Sequence, residues 1–85
     1  MAGDESTILV RFGERLRDLR KAAGFTQEGF ALECQIDRSY VGAVERGERN
    51  LSLCNIYKMA NKLNLSLSAL WPRMTLQGPY SPLRH

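Results

Sequence analysis

The sequence predicts an all-α fold, a compact bundle of five short helices, and three observations predict it. Apolar residues recur at the three- and four-residue spacing of helices instead of alternating as in strands. Four periodic stretches each open with Ser, Thr or Asp directly after an apolar residue, the signature of a capped and stapled helix start. All three prolines stand at or beyond residue 72, so nothing in the periodic region breaks a helix.

The first helix is expected over Ile8 to Ala23, where Leu9, Phe12, Leu16, Leu19 and Ala23 make one apolar stripe. Gly24 stops it. The second runs from Gln27 to Cys34, with Thr26 as cap and Phe25 stapled to Phe30. The third runs from Arg38 to Arg46 and ends at Gly47, with Asp37 as cap and Ile36 stapled to Val41. The fourth spans Leu53 to Leu63 behind Ser52, with Leu51 stapled to Ile56. Its inward face is read as Leu53, Ile56, Ala60 and Leu63, and Asn64 as a left-handed cap. The fifth is one or two turns, Leu67 to Trp71, behind Ser66, with Leu65 stapled to Leu70 and Pro72 as the stop. Residues 1–7 are expected to be a flexible start, 8–71 the folded domain, and 72–85 a proline-containing tail.

Eighty-five residues suffice for one small domain. No apolar run approaches the ~20 residues of a membrane span, and the acidic start MAGDEST is unlike a signal peptide; a cytoplasmic location is expected. The formal net charge of +3 is a mild basic excess, compatible with a polyanionic partner. Arg11 to Lys21 hold five bases against two acids. Cys34 and Cys54 form no CxxC unit and His85 is the only histidine, so no metal site is expected, and both thiols read as core residues. Without a phosphate-cradling Gly loop or a histidine in the folded region, no enzyme and no cofactor are expected.

The second helix, a tight turn and the third helix have the spacing of a helix-turn-helix. At about 100° per residue, Val41 and Val44 share one side of the third helix. Arg38, Ser39, Gly42, Ala43 and Arg46 take the opposite arc, with Tyr40 on the flank. Two guanidiniums, a hydroxyl and two very small residues suit a helix whose backbone approaches another surface closely. In a major groove, Arg38 would give a bidentate fork to guanine O6 and N7, Ser39 would donate to or accept from a neighbouring base, and Ala43 would touch a thymine methyl. Gln27, with the first N–H groups of its helix, would meet a phosphate. Tyr40, Arg46 and Asn50 are further candidates for backbone contacts.

The segment FTQEGFALECQIDRSYVGAVERGERN resembles the phage-repressor family of Cro or XRE type, through Thr26-Gln27-Glu28, Ala31 and Glu45-Arg46-Gly47. The resemblance covers residues 8–71. Asp37-Arg38-Ser39-Tyr40 and Glu45-Arg46-Gly47-Glu48-Arg49-Asn50 look most like the controller proteins of restriction–modification systems. The resemblance implies a lambda-repressor-like, sequence-specific regulator of transcription at the nucleoid, bound to double-stranded DNA, with RNA polymerase as a further partner. It also implies a base contact by Arg49, whose alternative is a phosphate contact or a free surface charge, and an ion pair between Glu45 and Arg20. Two residues depart from the family pattern. Gln35 stands at a turn position that is often Gly, where a positive φ implies strain of about 1 kcal/mol. Gly29 stands where a capping-box Glu is common.

A single recognition helix covers few base pairs, so a homodimer on a near-palindromic operator is expected. The apolar surplus of Leu65, Leu67, Leu70 and Trp71, rimmed by Asn61 and Asn64, is the expected interface; Leu65 and Leu70 alternatively pack inside one chain as the staple requires. Tyr57 and Met59 read as packing or interface residues, and Glu14, Arg17, Asp18 and Lys21 as a charged helix face. The competing reading is a protein-interaction adaptor or antitoxin of the same fold.

Overall fold

In the computed structural model, which describes residues 4–48 and 51–70, four helices of eight residues or more are followed by one helical turn. The helices are Asp4–Ala22 (α1), Gln27–Cys34 (α2), Arg38–Glu45 (α3) and Leu53–Lys62 (α4), and the turn is Leu67–Leu70 (α5). The architecture is all-α, with no strand among the described residues. The expected five-helix bundle is met by four helices and this single turn. No helix among these residues is long and apolar enough to cross a membrane.

Each expected cap forms. Thr26 accepts from the Gly29 N–H at 2.9 Å and Asp37 from the Ser39 N–H at 2.9 Å. Ser52 accepts from Asn55 at 3.1 Å and Ser66 from Ala69 at 3.2 Å. Beyond each of the four longer helices the backbone closes in one way, an N–H reaching the carbonyl five residues back: Phe25 to Arg20, Ile36 to Ala31, Glu48 to Ala43 and Leu65 to Ala60. That closure needs a left-handed residue just before it. Gly24, Gln35, Gly47 and Asn64 fill those places, at φ 87°, 60°, 75° and 59°. Three connectors are thereby reduced to a left-handed residue, an apolar residue and a cap.

The apolar connector residues close the core. The Phe25 and Phe30 rings lie 5.5 Å apart, and Ile36, Leu51 and Leu63 pack against the buried cluster. That cluster centres on Phe12, Leu16, Phe30, Val41, Val44, Met59 and Leu70, all fully buried; each such side chain contributes about 1.5–3 kcal/mol of burial. α3 packs on α1 and α2, α2 on α4, and α4 on α5. α1 and α3 touch at backbone distance, because a Cβ on Gly13 would lie 2.4 Å from the Val44 carbonyl oxygen.

Several expectations need correction. α1 begins at Asp4, not Ile8, so residues 4–7 are helical. Ala23 lies past the helix end and is exposed. Leu53 is 72% exposed instead of inward. The end of α2 lies beside Tyr57, Lys58, Asn61 and Lys62 of α4, which leaves the first turn of α4 uncovered, and Met59 fills the core position. Cys54 is exposed, whereas Cys34 is buried. Leu70 is fully buried within the single chain, in the core cluster, and is removed from the dimer surface. The tail expected over 72–85 lies outside the described residues.

Candidate nucleic-acid interface

The N-terminal turn of α3 is open to solvent. Arg38 and Ser39 are both exposed, and no ion pair holds the Arg38 guanidinium among the described residues. Asp37 sets their geometry: one carboxylate oxygen accepts the Ser39 N–H at 2.9 Å and the Ser39 hydroxyl at 2.8 Å.

One turn further along, Gly42 is buried. A Cβ there would stand 3.3 Å from Arg46 Nη1 and 3.6 Å from Gln27 Oε1, so both side chains lie over this glycine. Arg46 is largely exposed and pairs with Glu48 at 3.1 Å. The Gln27 amide nitrogen donates to Glu45 Oε1 at 2.9 Å, a tether that sequence reasoning missed. A side-chain bond across 18 residues leaves no periodic signal.

Behind this face lies a nearly dry ion pair. Arg20 Nε donates to Glu45 Oε2 at 2.6 Å, and Arg20 Nη2 to Oε1 at 3.0 Å. Its Nη1 donates to the Phe25 carbonyl at 2.8 Å. The two side chains are 7% and 4% exposed. Such a bidentate pair is directional, and with Gln27 it ties α1, the start of α2 and the end of α3 into one unit. No buried side-chain N or O in the described residues lacks a partner.

The other candidates divide. Ala43 is only 7% exposed, and the Glu48 N–H bonds its carbonyl at 2.9 Å. Its methyl is therefore not on the open face, which corrects its expected thymine contact. Tyr40 is half-buried against the core, on the flank. Arg49 and Asn50, and Trp71 of the expected dimer surface, lie outside the described residues. Asn61, Asn64 and Leu67 are exposed and Leu65 is half-buried. No group of His, Cys, Asp and Glu among the described residues has the arrangement to hold a metal ion.

A tight pair of helices that exposes arginine and serine on the second has the form of a helix-turn-helix. A family model described as "Helix-turn-helix" matches residues 16–70, and the chain belongs to that family, in its Cro/XRE type, a family of DNA-binding transcription regulators. It is 42% identical over 65 residues to the control protein C.MunI of Mycoplasma sp, covering 75% of this chain and 88% of that protein. The crystal structure of the restriction–modification controller protein C.AhdI from Aeromonas hydrophila matches at 54% identity and a TM-score of 0.72, over 74% of this chain and 96% of that one. The Bacillus subtilis regulator SinR, in a crystal structure with DNA, matches at 27% identity and a TM-score of 0.67, over 69% of this chain and 95% of that one.

Proposed function

We propose that the protein is the controller of a restriction–modification system: a cytoplasmic, nucleoid-bound homodimer that reads a near-palindromic operator in double-stranded DNA and acts on RNA polymerase there. The carrying observation is the open N-terminal turn of α3, where Arg38 and Ser39 are exposed on a helix seated by a buried ion pair. The likeness to C.MunI and C.AhdI supports the narrower controller reading, and that of SinR with DNA supports the duplex partner.

In this reading α3 enters the major groove. Arg38 forks to guanine O6 and N7, and Ser39 bonds the adjacent base edge. Arg49, in the segment after α3, is a third base contact. The N–H groups at the start of α2, with Gln27, together with Tyr40, Arg46 and Asn50, hold phosphates and set register. Leu65, Leu67 and Trp71, rimmed by Asn61 and Asn64, meet a second copy. Two recognition helices then lie about one DNA turn apart.

Selection of bound duplexes from a random pool, followed by gel shifts, tests the reading. The expected product is a two-fold sequence bound far more tightly than random DNA. Arg38→Ala should lower the ratio of specific to random affinity by roughly ten- to a hundredfold. An equal loss on both duplexes would remove Arg38 from base reading, and no selectable sequence would end the proposal.

A further inference from the structure

A serine hydroxyl carries one hydrogen to donate and lone pairs to accept with, whereas an ionised carboxylate only accepts. The Ser39 hydroxyl lies 2.8 Å from Asp37 Oδ1, the same oxygen that takes the Ser39 backbone N–H. The hydroxyl hydrogen is therefore spent on Asp37, and only lone pairs remain to face outward. A bond to a charged acceptor is roughly twice as strong as one to a neutral acceptor. Turning the hydroxyl away from Asp37 toward a base carbonyl or ring nitrogen would exchange the stronger bond for the weaker.

In the major groove the hydrogen-bond donors are cytosine N4 and adenine N6; guanine N7 and O6, adenine N7 and thymine O4 accept. We infer that Ser39 is a specificity-determining residue that reads an exocyclic amine, of cytosine or adenine, and that Asp37 imposes this polarity as a positioning residue. The start of α3 then presents two opposite signs: the Arg38 guanidinium donates to guanine, and one residue on the Asp37–Ser39 unit accepts. This assignment rests on the reading of α3 as the groove-bound helix, and it narrows a serine that the sequence alone leaves free to donate or accept.

The experiment starts from the selected duplex, so that absence of any preferred duplex counts against the proposed function and not against the polarity of Ser39. Affinities of the full-length protein and of Ser39→Ala are measured on all single base-pair changes, to find the position where the variant loses discrimination. At that position one duplex lacks only the amine (2-pyrimidinone for cytosine, purine for adenine). A second lacks only an acceptor (7-deaza or 6-deoxo guanine, 7-deaza adenine, 4-deoxo thymine). Deleting the amine should weaken wild-type binding roughly three- to tenfold, as for one neutral hydrogen bond, and should cost Ser39→Ala nothing further. Deleting an acceptor should weaken both proteins equally.

Asp37→Ala supplies the second arm. It frees the Ser39 hydrogen and should narrow the preference for the amine at that one position, while Asp37→Asn, whose oxygen still accepts but carries no charge, should narrow it less. Melting curves of both variants separate loss of the cap from loss of polarity, and the preference is a ratio within one protein, so reduced stability does not mimic it. Coupling of Ser39→Ala to an acceptor deletion, absence of any position where it loses discrimination, or an unchanged preference in Asp37→Ala would each overturn the inference.

Discussion

Arg20 and Glu45 show how a buried charge can be structural. Removing one partner leaves the other desolvated and alone, a loss of about 3–5 kcal/mol, whereas replacing both by apolar residues of similar volume is often neutral. Glu45→Ala is therefore expected to cost about that amount in urea unfolding, and the Arg20→Met, Glu45→Leu pair to recover most of it. Gln27 belongs to the same unit through its bond to Glu45, so the single variant also disturbs the start of α2. The resemblance to the phage-repressor family implied the Arg20–Glu45 pair. The part played by Gln27 was not legible, because the geometry that makes it a donor to Glu45 exists only once α2 and α3 are packed. Cys34 gives a second prediction at this scale. Burial pushes its thiol up from 9.0 to about 11. The folded state then holds this proton more tightly than the unfolded chain, so the contribution is intact below pH 9 and is lost as pH rises toward 11. Wild type should lose stability over that window more steeply than Cys34→Ala, as followed by thermal melts. Alkylation at neutral pH should label exposed Cys54 and spare Cys34.

The connectors carry the argument at the scale of elements. Gly24-Phe25-Thr26, Gln35-Ile36-Asp37 and Asn64-Leu65-Ser66 each place a left-handed residue, an apolar residue and a cap in three consecutive positions. The middle residue closes the preceding helix with its N–H, and Phe25 and Ile36 also pack their side chains on the core. These devices are local, which is why the caps, the Phe25–Phe30 staple and most helix ends were readable from sequence to within a residue. Gln35 pays for this design, since its φ of 60° is costly without glycine. Gln35→Gly should raise stability by about 1 kcal/mol, or about 4–8 °C in Tm for a domain of this size. Gly13 marks the opposite case. Its added Cβ would meet Val44 and Glu45 carbonyl oxygens at 2.4 and 2.6 Å, backbone that cannot swing aside. Gly13→Ala should cost about 1–3 kcal/mol or more by forcing α1 off α3, and DNA affinity should fall with it because α3 loses its seat. Nothing in the periodicity of α1 set Gly13 apart, because its reason lies on another helix.

For the whole molecule, charge and the proposed self-association set the salt and mass behaviour to be measured. A protein that neutralises Z phosphates loses affinity with a log–log salt slope of about −0.9Z. Arg46→Ala should reduce the magnitude of that slope by roughly one and weaken selected and random duplexes alike, in contrast to Arg38→Ala; titrations at several salt concentrations distinguish the two. Leu67 is 42% exposed on the single chain, so Leu67→Glu should leave helical content unchanged while lowering the apparent mass in sedimentation and the affinity for a two-fold site together. Leu70→Glu should instead unfold the domain, because that side chain is fully buried within one chain. The apolar surplus at the end of the chain was visible as composition, but its division between core and surface was not.

The sequence by itself determined the helices, their caps, the helix-turn-helix spacing and the polar character of the outer side of α3, because each rests on residues within about one turn of one another. Only the tertiary structure decided which of those residues stay open. It buried Ala43, sent Leu70 inward and Leu53 outward, and tethered Gln27 to Glu45. Whether a given face meets solvent or a neighbouring helix depends on chain segments far away in sequence, and helical periodicity carries no record of where those segments come to lie.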